Sequence, residues 1–496
     1  MSEIEERLVE LERLGLGRRL RLVSGPQGPT VLLDGKPVLL LCSNNYLGLA
    51  DHPRVREAAA EAAMRWGVGA GASRLISGTM TIHRRLEERL AAFEHSQACL
   101  LFGSGYLANL GVIGALAGHG DTIFSDELNH ASIVDGCRLS RAEVVVYRHL
   151  DAEHLEWSLR HHSPRRDGRG GRLIVTDSVF SMDGDIAPLE TIVEIARSWD
   201  ARVMVDEAHA TGTLGPDGRG AIAQAGLEGE IDVLVGTLGK ALGSYGAYVC
   251  ADAEIVRYLI NTSRSLIFST APSPPAVAGA LAALELLQER PHSVERLHSN
   301  ARVLRRALAA EGFPVQDEEM HIVPLVVGDE RDATRLCQEA IEHGVFAQAI
   351  RPPTVPSGTS RLRLATMASH TASDMRMAAT VLGDAARKLG LDPTAIGEPE
   401  CKRVPLDADD GEVVDEEYAY ETAEASLAAL EASSSAGAPF DIERLSGDPA
   451  QVPETPRAPA QPRPRRPPAP APADAGPEAS SAPFDGERES AIAHAA

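Results

Sequence analysis

The chain has 496 residues, 44% of them hydrophobic and 24% charged, which is enough for two or three globular domains around a large core. Its formal charge of −23 argues against nucleic acid or an anionic membrane surface as the main partner, since both need clustered Lys and Arg. Six cysteines (Cys42, Cys99, Cys137, Cys250, Cys337, Cys401) stand without a CxxC pair or a repeating spacing, so reduced thiols in a cytoplasmic protein are expected, with no disulfide framework and no zinc site.

The first segment, "MSEIEERLVELERLGLGRRL", is charged and helical in period, with no apolar signal core. No run of about 18 apolar residues follows, so neither secretion nor a membrane span is expected. "GPTVLLDGKPVLLLCS" reads as a hairpin around Asp34-Gly35, and "HPRVREAAAEAAMRW" as a helix. From about residue 97 the runs "ACLLF", "DTIFSD", "AEVVVY", "GRLIVTDS", "ARVMVDE" and "DVLVGT" alternate with amphipathic segments of helix length. That alternation predicts an α/β fold, a mostly parallel central sheet with helices on both faces, and "SYGAYVCA" adds an antiparallel strand. A helical stretch over roughly 274–312 leads to a smaller α+β unit with "HIVPLVV", "VFAQAI" and "SRLRLAT" as strands. The expected division is an N-terminal segment (1–50), a large α/β domain (51–290), a small C-terminal α+β domain (291–396) and a tail (397–496). Residues 401–496 carry 8 Lys and Arg against 19 Asp and Glu, and 14 of the 32 prolines, a composition that predicts disorder with one short helix at 416–433.

In an open parallel sheet, ligands gather beyond the carboxyl ends of the strands. That rule selects Ser104–Tyr106, Asp126–His130, Ser178–Ser181, Asp206–His209 and Thr237–Lys240. Lys240 lies in "IDVLVGTLGKALGSYGAYV", a run otherwise almost wholly apolar, small or glycine; a lone lysine there ordinarily reaches solvent with its stem. "FGSGYLANLGVIGAL" follows a strand and opens a helix, which suits a phosphate. Its Gly103, Gly105 and Ala108, with Asp126 about twenty residues on, also match a dinucleotide fingerprint and leave an NAD-dependent oxidoreductase as the alternative from another class. Asp206 ends a strand and is either a helix cap or a partner for a protonated ring nitrogen. His209, His130 and Ser181 are either loop residues or cofactor contacts. The "DGD" of "SVFSMDGDIAPL" is no calcium loop, because Pro188 stands where glycine is required, and the histidines of "HLDAEHLEWSLRHHSPRR" read as a solvated face without a metal. No GxSxG elbow is present.

Taken together, "SMDGD-APL", "VDEAHATG", "GTLGKALG" and "RPPTVPSGTSRLRL", in order over about residues 5–390, resemble the α-oxoamine synthases, pyridoxal-phosphate enzymes of the aspartate-aminotransferase-like fold type I. The resemblance implies pyridoxal 5'-phosphate as cofactor, carried covalently by Lys240, which also moves the substrate proton. It further implies that Asp206 holds the pyridine-ring proton, that His209 and Ser181 contact the ring oxygen, and that His130 stacks on the ring. Gly105, Tyr106 and Thr237 would lie around the cofactor and its phosphate. Arg351 would bind the amino-acid carboxylate with Thr354 nearby, Asn44 would line the substrate side, and Arg18 would meet the acyl substrate, although Gly17 stands where the family pattern carries an aromatic. In "AIRPPTVP" and "LNHASIVDG" the chain looks more like the family member that joins L-alanine to a pimeloyl group than like glycine C-acetyltransferase, and that resemblance implies L-alanine with pimeloyl-CoA or pimeloyl-acyl carrier protein as substrates, in biotin biosynthesis. The family is homodimeric, and Ser269 and Thr270 in "SLIFSTAPSP" are candidates to reach the neighbour's phosphate. The acidic tail lies outside the family pattern and leaves a further partner open.

Overall fold

The apolar runs between residues 98 and 251 fold into one seven-stranded sheet in the computed structural model, which describes residues 2–162 and 170–399. Across the sheet the strands run Ala98–Phe102, Ala247–Ala251, Val233–Thr237, Arg202–Asp206, Arg172–Asp177, Thr122–Asp126 and Glu143–Tyr147. All neighbours are parallel except Ala247–Ala251, which is antiparallel to both of its partners. Thr122–Asp126 is buried along its whole length because helices cover both faces. Ile174, Val203 and Val205 enter a core with Leu86 and Leu90 of the helix Thr81–Phe93 and Ile192 of Leu189–Ser198. Leu173, Val175 and Met204 point the other way, towards Ala108, Val112 and Ile113 of the helix Gly105–Leu116. Each such side chain contributes roughly 1.5–3 kcal/mol by leaving water.

One consequence positions the site. Asp206, Asp177 and Asp126 end three neighbouring parallel strands, so three carboxylates stand in a row at the carboxyl edge of the sheet.

A second core gathers the ends of the described chain. The hairpin Thr30–Leu33 and Lys36–Leu40 turns at Asp34 (φ 49°) and Gly35 (φ 82°), both left-handed, as a two-residue hairpin loop requires. Val345–Phe346 pairs in parallel with Lys36–Leu40, while Ile322–Gly328, Ser360–Ala365 and Gln348–Ile350 form a three-stranded sheet. The hairpin shares this core with the helices His292–Ala310, Glu330–Glu342 and Ala372–Lys388. Residues 1–50, expected as a segment of their own, therefore contribute their hairpin to the C-terminal core. The helix Glu3–Arg13 starts on a Ser2 capping box and buries none of its residues.

The expected tail boundary at 397 falls inside ordered packing. The Val326 N–H donates to Gly397 C=O at 2.8 Å, and the Glu398 carboxylate accepts from the buried Arg305 guanidinium. The acidic tail from 400 and the expected helix at 416–433 lie outside the described residues. Among the described residues, no helix is long and apolar enough to cross a membrane.

His149 departs from the sequence expectation of a solvated face. Its Nδ1 lies 2.9 Å from Asp126 Oδ1 and its Nε2 2.8 Å from Asp185 Oδ2, with only 13% of the side chain exposed. Two carboxylates inside the fold outweigh the charged sequence around it.

Candidate active site

The strand Val233–Thr237 ends in a turn that its last residue ties down. The Thr237 hydroxyl donates to Gly246 C=O at 3.2 Å and accepts from Gly239 N–H at 3.2 Å. This turn carries Lys240, whose Nζ lies 2.7 Å from His209 Nε2. Solvent reaches part of the residue, but the amine lies deep enough that desolvation dominates and its pKa is lowered to about 8, against the opposing pull of Asp206 and Asp177. Most of the glycines around it serve the packing of the backbone. A Cβ on Gly236 would meet the Tyr248 ring at 2.1 Å, and one on Gly243 would meet Ala50 N at 2.4 Å, so both serve close packing. Gly239 is the open one, its nearest neighbour 3.6 Å away.

His209 is held from its other side. Its Nδ1 lies 2.6 Å from the Tyr46 hydroxyl, which donates to Asn44 Oδ1 at 3.0 Å. Arg363 donates to both, NH1 to Asn44 Oδ1 and NH2 to the Tyr46 hydroxyl, each at 3.1 Å. Burial, then the charge of Lys240, then that of Arg363, hold the His209 pKa well below its usual value, so the ring is neutral at pH 7. Tyr46 and Arg363 are site residues that the sequence reading missed.

Beneath the lysine, Asp206 is 4% exposed and accepts from Asn109 Nδ2 at 2.7 Å and Ala208 N–H at 2.8 Å. Asn109 also reaches the Ser132 hydroxyl at 2.9 Å, which lies 2.7 Å from His130 Nδ1. The His130 N–H donates to Asp177 Oδ2 at 2.7 Å. Burial first, and the Asp206 charge second, push the Asp177 carboxyl well above its usual range. Lys240 and His209 thus belong to one hydrogen-bonded chain and Asp206 and His130 to another, and the two act on each other electrostatically, Asp206 and Asp177 on Lys240 and His130 on His209.

Gly105 and Tyr106 open the helix Gly105–Leu116, with Ser104 Oγ capping Leu107 N–H at 3.2 Å. The first N–H groups of a helix have no intrahelical partner, so this end can receive an anion. The Tyr106 side chain points outward to the Asp135 carboxylate. Ser181 meets the cluster through its backbone carbonyl, which accepts from Arg363 Nε.

Arg351 and Arg18 make a different contact. Arg351 donates to the carbonyls of Gly15 and, at 3.0 Å, of Gly17, while Arg18 donates to Pro352 C=O at 3.0 Å. They clasp the N-terminal segment to the loop after Ile350, and exposed Thr354 donates its N–H to Arg351 C=O at 3.1 Å. Among the described contacts it is Arg363, not Arg351, whose guanidinium joins the Lys240 cluster. Thr270 bridges to Ser73 with Ser269 beside it, apart from these hydrogen bonds. Asp126, which the dinucleotide reading needs for a ribose, is spent on His149 at 2.9 Å and on the N–H groups of Leu128 at 2.9 Å and Leu150 at 3.0 Å.

The family model for aminotransferase class I and II matches residues 36–382. The chain is 51% identical over 386 residues to the 8-amino-7-oxononanoate synthase of Geobacter sulfurreducens, covering 77% of this chain and 98% of that one. A structure of SPT with PLP as internal aldimine aligns with a TM-score of 0.74 at 34% identity, over 79% of this chain and 98% of that one. The 8-amino-7-oxononanoate synthase of Francisella tularensis aligns with a TM-score of 0.61 at 27% identity, over 71% and 99%.

Proposed function

The chain belongs to the class I and II aminotransferase family, with the fold of the pyridoxal-phosphate-dependent transferases of fold type I, and we propose that it acts as an 8-amino-7-oxononanoate synthase. In this reading L-alanine and a pimeloyl thioester give 8-amino-7-oxononanoate, carbon dioxide and the free thiol. The observation that carries it is the buried amine of Lys240, 2.7 Å from a neutral His209 and electrostatically coupled to Asp206.

The donor set fits pyridoxal phosphate. A primary amine with a pKa of about 8 suits attachment to an aldehyde near neutral pH, a buried carboxylate suits a protonated pyridine nitrogen, and a helix N-terminus suits a phosphate. When bound, this cofactor supplies an electron-withdrawing ring that stabilises negative charge at the amino-acid α-carbon. Lys240 would hold it and then take and return the α-proton. Asp206, fixed by Asn109 and Ala208, would keep the ring nitrogen protonated. His209 and Ser181 would face the ring oxygen and His130 the ring plane, while Gly105, Tyr106 and Thr237 would receive the phosphate. Asn44 would line the alanine side, and Arg351, Thr354 and Arg18 the mouth through which substrate enters.

A homodimer with active sites at the subunit interface is part of the proposal. It is supported by large apolar side chains left exposed on the single chain, among them Ile76 at 79%, Val68 at 77%, Phe268 at 71% and Tyr245 at 63%. Ser269 and Thr270 follow Phe268 and would reach the neighbour's phosphate.

The test is a panel of amino acids and acyl thioesters scored by thiol and carbon dioxide release. L-alanine with pimeloyl-CoA or pimeloyl-acyl carrier protein should be turned over best. Preference for glycine with a short acyl thioester would overturn the assignment within the family.

A further inference from the structure

We infer that Tyr46 is a positioning residue that fixes which ring nitrogen of His209 carries the proton, and through it the direction of the hydrogen bond to Lys240. The inference deepens the proposed function and rests on its reading of Lys240. The argument is a count of hydrogens. A carbonyl oxygen only accepts, and a guanidinium only donates. Asn44 Oδ1 therefore accepts from both Arg363 NH1 at 3.1 Å and the Tyr46 hydroxyl at 3.0 Å. That contact uses the single hydrogen Tyr46 owns. Its two lone pairs remain, and Arg363 NH2 donates to one of them at 3.1 Å. The third contact, 2.6 Å to His209 Nδ1, is then donated by the ring.

A neutral ring with its proton on Nδ1 has a bare Nε2. That bare nitrogen faces Lys240 Nζ at 2.7 Å, and the amine donates to it. Each link of the chain, Lys240 to His209, His209 to Tyr46 and Tyr46 to Asn44, then has one donor and one acceptor. The other tautomer would set an Nε2–H against the hydrogens of the Lys240 ammonium, and would ask Tyr46 to give one hydrogen to two acceptors.

Two further observations keep the phenol in place and the ring singly protonated. Tyr46 is fully buried with the His321 ring set edge-on at 4.3 Å, so the phenol cannot turn to solvent. Besides burial, the groups bearing on His209 are Lys240, Arg363, His321 and His130, all of which oppose a second proton on the ring.

The test is nuclear magnetic resonance on the full-length, cofactor-free protein with ring-¹⁵N-labelled histidine, the His209 signals being identified by their loss in His209→Gln. At pH 7 Nδ1 should read as the proton-bearing nitrogen and Nε2 as bare. Tyr46→Phe keeps the ring and removes the acceptor, so the ratio of Nδ1–H to Nε2–H tautomer should fall about threefold to tenfold, the equivalent of one hydrogen bond. Asn44→Leu keeps the phenol but removes the acceptor of its hydrogen, and should shift the ratio the same way if Tyr46→Phe does not fold. A wild-type His209 protonated on Nε2 would overturn the inference, as would folded variants with an unchanged ratio. Because no cofactor is used, the result stands apart from whether pyridoxal phosphate attaches to Lys240, which tests the proposed function instead.

Discussion

Asp177 and Asp206 face each other across two parallel strands, each the last residue of its strand, and share the end of the sheet with Lys240. Both pull the lysine pKa upward while desolvation, the larger influence, brings it down to about 8.

The rate at which Lys240 reacts with pyridoxal phosphate should therefore rise with pH through a midpoint near 8, as the neutral amine appears. Asp206→Asn removes one upward pull, so that midpoint should fall. The stability consequence has a definite sign. The folded pKa lies below the unfolded value near 10.5, so the penalty for the charged amine is complete below about pH 8 and is relieved between about 8 and 10.5. Cofactor-free protein should gain stability across that window relative to Lys240→Met, measured by urea denaturation at several pH values.

Arg363 is 5% exposed and ties Asn44, Tyr46 and the Ser181 carbonyl together. Arg363→Met should cost about 2–4 kcal/mol of stability, because several buried acceptors lose a charged donor at once. It should also raise the KM for alanine more than Arg351→Ala does. Equal effects of the two variants on KM would mean that Arg363 bears on alanine binding no more than Arg351 does.

Arg351 is joined to the carbonyls of Gly15 and Gly17. In Arg351→Ala the segment Leu14–Leu22 should be cut faster by trypsin and exchange its amide hydrogens sooner, with little change in the central sheet. Unchanged protection of that segment would mean that the clasp carries little of its stability.

Ending the chain after residue 396 and after residue 399 should give different proteins. The shorter one loses Glu398, and with it a carboxylate partner of the buried Arg305, at a cost of about 3 kcal/mol. The longer one should unfold at the same temperature as the full chain. This pair of truncations also tests whether the acidic tail beyond 400 contributes anything to the folded part.

Much of the sheet was legible because buried parallel strands read as short apolar runs and each polar residue at a run's end marks a carboxyl edge. Lys240, Asp206, His209 and His130 were found on that rule. Tyr46 and Arg363 were not, since neither ends a strand of the main sheet. Tyr46 sits two residues after Asn44 in "CSNNYLGL", and its role depends on a hydroxyl contact made 163 positions along the chain. Arg363 lies in the strand Ser360–Ala365, buried at every position. A charged residue in an otherwise largely apolar run is a signal that Lys240 also gives, and "SRLRLAT" carries it. The clasp of Arg351 onto Gly15 and Gly17 had no comparable signal, because two backbone carbonyls leave no mark in a sequence. The tail boundary was set by composition, which does not register that one glutamate just past it neutralises a buried arginine.

The central claim is that the amine of Lys240 carries the cofactor. Full-length protein loaded with pyridoxal phosphate, reduced with borohydride, digested and mapped by mass spectrometry, should bear a stable pyridoxyl group on the peptide containing Lys240, and the label should vanish in Lys240→Ala. A label on another lysine, or protein that stays colourless and unlabelled with excess cofactor, would contradict the account.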